Sequence, residues 1–245
     1  MRLYGLIGYP LTHSFSEQYF TEKFVREYLD DCLFKPFPIT SITDLPALLK
    51  ANPLLKGLGV TIPYKEKVLS YVTFLSDEVK QIGATNSIKI SGDNLIAYNT
   101  DITGFENSFR KLLKPHHKKA LVLGTGGASK AVQFVLVKLA IDFLVVSRKE
   151  GLKSNLINYN MVTESVISEY TVIINCTPVG MWPNDSNYID LPYNGITSDH
   201  YVFDLIYKPV KTLLLKKAEE RGAIIQNGYD MLIIQAEESW KLWNS

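Results

Sequence analysis

Four short stretches in the first half of the chain collect side chains able to bind anions or move protons: His13-Ser14-Phe15-Ser16, Val60-Thr61-Ile62-Pro63-Tyr64-Lys65, Gly83-Ala84-Thr85-Asn86 and Asn99-Thr100-Asp101-Ile102-Thr103-Gly104. Ser14 and Ser16 flank Phe15 where a helix opens, so two hydroxyls and the positive end of a helix dipole converge on a volume suited to a carboxylate. The same residues read equally well as a capping box, with Ser14 as cap and Glu17 at the third position. Lys65 follows Pro63, which suits the first turn of a helix. An ammonium there can hand a proton to a developing alkoxide if a carboxylate holds it in place, although most such lysines simply sit in water. Asp101 is a candidate carboxylate, and its place before a helix also suits an N-cap.

A second chemistry is written in Lys119-Ala-Leu-Val-Leu-Gly124-Thr125-Gly126-Gly127-Ala128, an apolar run that meets a glycine-rich turn and then a helix opening near Ser129. Gly124 permits a tight turn, Gly126 lets backbone approach a pyrophosphate, and the helix N-terminus supplies N–H donors. An ordinary glycine-rich turn with no ligand is the bland alternative. Folds that bind NAD usually carry an acidic residue about 20 residues after the glycines, on the ribose. Here the next strand ends in Ser147, Arg148 and Lys149, and a guanidinium can pair with a 2′-phosphate that a carboxylate would repel. NADP is the cofactor these residues favour; against it stands the reading of Arg148 and Lys149 as solvated loop charges beside Glu150.

Open α/β sheets build sites where strands end, so the elements must alternate. Strand patterns at 3–7, 33–38 and 58–62 alternate with helical patterns at 15–29 and 42–50. Further helical patterns at 65–71 and 77–82 precede a hairpin at 86–90 and 95–98. A second β-α-β series starts after Lys114-Pro-His-His-Lys-Lys119, with strands at 120–123, 143–147, 172–175, 202–206 and 223–225, and a closing helix at 230–243.

The 245 residues carry 26 basic and 25 acidic side chains, for a net charge of +1, which argues against an extended nucleic-acid surface. With 46% hydrophobic residues the chain can bury enough apolar surface to order itself. The longest apolar stretch, 131–146, is cut by Gln133, Lys138 and Asp142, short of the ~18 uninterrupted residues of a membrane helix. Gly8 and Pro10 interrupt the N-terminal run too early for a signal-peptide core, so a cytoplasmic location is expected. Cys32 and Cys176 fit neither a disulfide framework nor a zinc pattern, read as buried small hydrophobes, and leave no metal in the reading.

Taken in order, Gly8-x-Pro10 with His13-Ser14-x-Ser16, Val60-Thr61-x-Pro63-x-Lys65, Gly83-Ala84-x-Asn86, Asn99-Thr100-Asp101, Gly124-x-Gly126-Gly127-Ala128, Asn175-x-Thr177-Pro178-x-Gly180-Met181 and Gly228-x-x-Met231-Leu232-x-x-Gln235-Ala236 make the sequence resemble the shikimate dehydrogenase family over nearly its whole length. The resemblance implies an α/β fold of two domains. An N-terminal open α/β domain, 1–103 plus 228–245, would bind substrate and carry catalysis; a Rossmann-type domain, 104–227, would bind NADP. It implies that Lys65 and Asp101 form the catalytic pair, that Ser14 and Ser16 bind a substrate carboxylate, and that Thr61, Asn86, Asp101 and Gln235 hold ring hydroxyls beside Tyr207. On the cofactor side it implies Gly124, Thr125, Gly126, Gly127 and Ala128 at the turn, Ser147, Arg148 and Lys149 at the adenosine phosphate, Thr177, Leu205 and Gly228 towards the nicotinamide, and Asp77. The implied reaction is reversible reduction of 3-dehydroshikimate to shikimate by NADPH, with no nucleic-acid or membrane partner, in a monomer or homodimer. The alternatives are an NAD-dependent quinate/shikimate dehydrogenase and a non-catalytic NADP-binding regulatory module. Three positions depart from the family pattern: Glu17, where Pro is common, Gly59, where Asn is common, and Ser87, where Thr is frequent.

Overall fold

The computed structural model describes residues 1–11, 15–148 and 154–245. They form two compact units, Met1–Thr100 with Gln235–Ser245, and Asp101–Ile234.

In the first unit β1 (Arg2–Gly8) lies between β2 (Cys32–Pro38) and β3 (Leu55–Val60), both parallel to it. The sheet continues from β3 through antiparallel β5 (Ser87–Ser91) and β6 (Asn94–Tyr98) to a short β4 (Phe74–Leu75), which the sequence pattern did not suggest. Side chains alternate across β1 as a strand requires. Leu3 and Ile7 join the core of Leu45, Leu58 and Val60, while Tyr4 joins Phe20, Phe24 and Phe34 on the other face. Phe20 and Phe24 lie one turn apart on α1 (Phe15–Arg26), and the aromatic layer is completed by Trp243 of α8 (Tyr229–Asn244), stacked on Tyr4 at 5.5 Å. Between α1 and α8, buried Lys23 donates to Glu237 at 2.9 Å and to Glu27 at 2.8 Å, and the Tyr19 hydroxyl donates to the same Glu237. The hairpin turns through Gly92 at φ +59°, a conformation glycine adopts without steric cost.

Two expectations for this unit are corrected. The strand expected at 58–62 starts and ends earlier, at Leu55 and Val60, so Thr61 lies just past its end. Residues 65–71 are not one helix: Lys65 sits in a turn, followed by a 3-10 helix at Lys67–Tyr71. The backbone there is claimed by tertiary bonds. Buried Tyr64 donates its hydroxyl to the Ile39 carbonyl at 2.7 Å, and the Lys65 carbonyl accepts the Thr85 N–H at 2.8 Å.

The second unit holds a wholly parallel sheet in the order β12 (Ile224–Asn227), β11 (Tyr201–Asp204), β10 (Val172–Asn175), β7 (Lys119–Leu123), β8 (Asp142–Ser147), β9 (Leu156–Asn158). This is the doubly wound Rossmann order, reversing between β7 and β10. β10 and β11 are buried at every residue, as expected of parallel strands covered on both faces. The turn helix α5 (Gly127–Lys138) buries Ala131, Val132, Val135 and Leu136, and α4 (Thr100–Phe109) stacks Phe109 on Tyr201 at 5.1 Å. α5 opens at Gly127, with Gly126 as its N-cap, two residues before the expected Ser129, whose hydroxyl donates to the Gly124 carbonyl at 2.7 Å. Both cysteines are half-buried rather than buried: Cys32 opens strand β2, and Cys176 stands in the loop after β10. Among the described residues no helix is long and apolar enough to cross a membrane.

Candidate active site

In the first unit the site grows from the loop before β5. Gly83 closes α3 (Asp77–Ile82) in the left-handed region at φ +64°, which a glycine permits, and the chain then turns into Asn86. The Asn86 carbonyl accepts from Val60 at the end of β3. Its side chain, buried, spans to the start of α4: Oδ1 accepts the Thr100 N–H at 2.7 Å, and Nδ2 donates to Thr100 Oγ1 at 2.9 Å and to Gln235 Oε1 at 3.2 Å. Thr100 Oγ1 also meets Ser239 Oγ at 3.0 Å. A backbone N–H can only donate, so Asn86 Oδ1 must be the acceptor, its amide has one orientation, and Gln235 receives the bond through its oxygen. Two of the implied hydroxyl-binding side chains, 149 residues apart in the chain, are thereby joined.

Asn86 also corrects the reading of Asp101 as an N-cap. The helix starts at Thr100, whose amide is served by Asn86 from outside, so Asp101 lies buried within the first turn of α4, where a carboxylate suits the dipole. Thr61 and Lys65 are half-buried beside the end of β3, and Thr61 donates its N–H to the Ile7 carbonyl at 2.9 Å. Ser16 is half-buried in the first turn of α1. Ser14, and with it the capping-box alternative, lies outside the described residues, as does Lys149. Asp77 is at the exposed start of α3, in the first unit, paired with Lys80 at 2.7 Å. Lys65 belongs to the first unit and Asp101 to the second. The departures Gly59 and Ser87 are register partners across β3 and β5.

In the second unit the glycine turn follows β7. Gly124 holds φ +105°, and a Cβ built on it would come within 2.9 Å of Thr177 Cγ2. Gly126 is the N-cap of α5 without a side-chain cap bond, and a Cβ there would meet nothing within 4 Å. The space beside the Gly126 backbone is therefore open, at a helix N-terminus whose first-turn amides have no side-chain cap, which fits a pyrophosphate. Thr125 is exposed, with Gly127 and Ala128 half-buried behind it. At the end of β8, Ser147 is buried and Arg148 exposed, with the guanidinium charge felt by the phenol of Tyr159, which burial pushes up. Leu205 and Gly228 are brought together: a Cβ on Gly228 would lie 2.1 Å from the Leu205 carbonyl oxygen, so only glycine fits. Tyr207, its phenol pushed up by burial, lines a cavity of about 470 Å³ with Asn227, Tyr229 and Asp230.

The model of the shikimate dehydrogenase substrate binding domain matches residues 6–88. The shikimate dehydrogenase (NADP(+)) of Aquifex aeolicus is 36% identical over 250 residues, covering 99% of this chain and 91% of that protein. The chain belongs to the shikimate dehydrogenase family. Among solved structures it is similar to shikimate 5-dehydrogenase of Thermus thermophilus in complex with NADP(H) and shikimate, with TM-score 0.86 and 28% identity over 99% of this chain and 93% of that one. It is also similar to quinate dehydrogenase of Corynebacterium glutamicum in complex with NAD, with TM-score 0.86 and 26% identity over 99% and 93% of the two chains.

For a shikimate dehydrogenase family member, sequence reasoning singled out Asn86 and Gln235 but missed what orients them. Thr100 stands in the sequence only as part of Asn99-Thr100-Asp101, and Ser239 is a polar exception on the apolar face of the closing helix. The signal available was that exception itself, since a serine among Met231, Ile234 and Leu242 needs a partner once buried.

Proposed function

We propose that the chain catalyses the reversible reduction of 3-dehydroshikimate to shikimate with NADPH. The observation that carries this reading is the joining of Asn86 and Gln235 in one buried network, which presents amides of fixed orientation to a ring bearing several hydroxyls. Membership of the family supplies the reaction class. In this reading the first unit binds substrate. Ser14 and Ser16 hold its carboxylate, and Thr61, Asn86, Asp101 and Gln235 hold its hydroxyls, with Tyr207 alongside. Lys65 gives its Nζ proton to the carbonyl oxygen as that oxygen gains charge, and the Asp101 carboxylate orients the ammonium. The second unit holds NADP through the glycine turn of Gly124 to Ala128, through Ser147, Arg148 and Lys149 at the adenosine phosphate, and through Thr177, Leu205 and Gly228, with Asp77 as a further contact. When bound, NADPH supplies the hydride. Both cysteines are free, in keeping with a cytoplasmic enzyme, monomeric or homodimeric.

The test offers shikimate or quinate with NADP or NAD and follows the absorbance of reduced nicotinamide. Fast turnover with shikimate and NADP is expected. The likeness to a quinate dehydrogenase in complex with NAD makes quinate with NAD the pair to beat. Preference for that pair overturns the reading, and NADP binding without turnover on any pair would make the chain a regulatory module.

A further inference from the structure

Asp204, at the end of β11, is a fully buried carboxylate with no part in the chemistry proposed above. Its Oδ1 accepts from Asn175 Nδ2 at 2.9 Å and from the Ile206 N–H at 3.0 Å, and its Oδ2 accepts from the Thr212 hydroxyl at 2.6 Å. Asn175, at the end of β10 and equally buried, passes the constraint on: its Oδ1 accepts both the N–H and the hydroxyl of Thr177, at 2.9 and 2.7 Å. Thr177 Oγ1 in turn accepts the Val179 N–H at 3.3 Å, and Thr177 Cγ2 fills the space against Gly124 at the end of β7. One chain of hydrogen bonds thus crosses the ends of β11 and β10 and, by the packing of Thr177 against Gly124, reaches the end of β7, the point where the strand order reverses and where such sheets bind dinucleotides.

A bare asparagine can place its amide either way round. A carboxylate only accepts, so Asp204 draws Asn175 Nδ2 towards itself and commits Oδ1 to Thr177. Burial of a charge is expensive, and here burial pushes the Asp204 carboxyl up to about 6 against the pull of its donors. An apolar residue would avoid that cost but could not orient the amide. We propose that Asp204 is a positioning residue for the cofactor: through Asn175 it holds the Thr177 loop against the glycine turn in the geometry that accepts the dinucleotide. This rests on the NADP reading above. The competing role is structural only, since Thr212 also caps α7 (Leu213–Glu219) by accepting the Leu215 N–H at 3.4 Å.

The experiment titrates NADP into the full chain by calorimetry, with melting temperature and the shikimate KM measured alongside. Asn175→Ala and Asp204→Ala are expected to weaken NADP binding about tenfold or more, the loss of a charge-assisted bond, with the shikimate KM unchanged. Asp204→Asn keeps an oxygen for Asn175 and Ile206, so it is expected to retain most of the affinity. A folded Asn175→Ala chain that binds NADP as the wild type does overturns the inference, and it decides the matter if Asp204→Ala fails to fold. A lowered melting temperature with unaltered NADP affinity makes the role structural and overturns it too. Failure of the wild type to bind NADP overturns the cofactor reading itself, a result distinct from either.

Discussion

In the second unit the proposed cradle is made of backbone: Gly124 makes the turn against Thr177, Gly126 leaves open space, the first turn of α5 offers N–H groups, and the side chains that matter stand behind it as braces. In the first unit the side chains proposed for the corresponding work are Asn86 and Gln235, bonded to each other, with the Asn86 amide held by Thr100 and Thr100 met in turn by Ser239. The difference follows from the ligands proposed for each. A pyrophosphate is recognised by its charge, which any row of N–H donors satisfies, whereas a ring with several hydroxyls needs donors and acceptors at fixed points. A backbone site tolerates side-chain change and fails when a glycine is filled. A side-chain site is expected to fail piecemeal, one bond at a time.

The largest expected effect separates chemistry from both kinds of binding. Positioned acid–base groups contribute ~10² to 10⁴ in rate, so Lys65→Ala should lose turnover by about that factor. Its NADP affinity, measured by titration, should stay at the wild-type value, because Lys65 is not among the residues proposed to hold the cofactor. Near-normal turnover would return Lys65 to the role of a solvated turn residue.

A smaller effect tests whether the first unit depends on packing as the second depends on its glycines. A Cβ on Gly57 would come within 2.2 Å of the Trp243 ring, which is buried and stacked on Tyr4. Neither ring can yield freely, so Gly57→Ala should destabilise by ~1 to 3 kcal/mol, the usual cost of overpacking. Urea unfolding followed by tryptophan fluorescence measures it, with the NADP titration as control. An unaltered unfolding midpoint would mean that the aromatic layer between α1 and α8 has room to move.

The same contrast decides what could be read from residues alone. The parallel sheet and its glycine turn were legible because each signal is contiguous: an apolar run, Gly124 to Ala128, and a helical period. The strand run and hairpin of the first unit were legible for the same reason. The turn at Lys65 was not, since Tyr64 and Thr85 hold it through bonds to distant backbone. The braces were illegible as well. Thr100 meets Ser239 across 139 residues, and Asp204 meets Asn175 across 29, distances over which periodicity carries no information. β4 and β9, at two and three residues, are too short to show a pattern. The divisions between units fall inside α4 and α8, where a continuous helix gives composition nothing to mark.

Piecemeal failure has its own test in Ser239→Ala. One buried neutral hydrogen bond contributes about 1 kcal/mol, so the shikimate KM should rise about fivefold while kcat and NADP affinity hold. Thr100 keeps its backbone bond to Asn86, which is why the loss is limited. A collapse of both KM and kcat would show the network to be cooperative, and an unchanged KM would remove Ser239 from it.

The smallest effect concerns charge at the two sheets. Asp204 in the second unit is raised by burial, whereas Asp31 in the first, accepting from Arg2 Nε at 2.9 Å, is drawn down to about 2 by that bond. A carboxyl whose folded value is depressed adds stability above its unfolded value, near 3.8, and loses it as the pH falls through about 2. Asp31→Asn should therefore be slightly less stable than the wild type at neutral pH, with the gap closing on acidification and reduced by salt, because the pair is solvent-exposed. Asp204 runs the other way: its contribution is complete below 3.8 and is lost as the pH rises through about 6. Chemical unfolding of wild type and Asp31→Asn at pH values spanning about 2 to 7 measures the gap. A gap that widened towards acid would mean that the Arg2 bond does not hold Asp31 in its charged form.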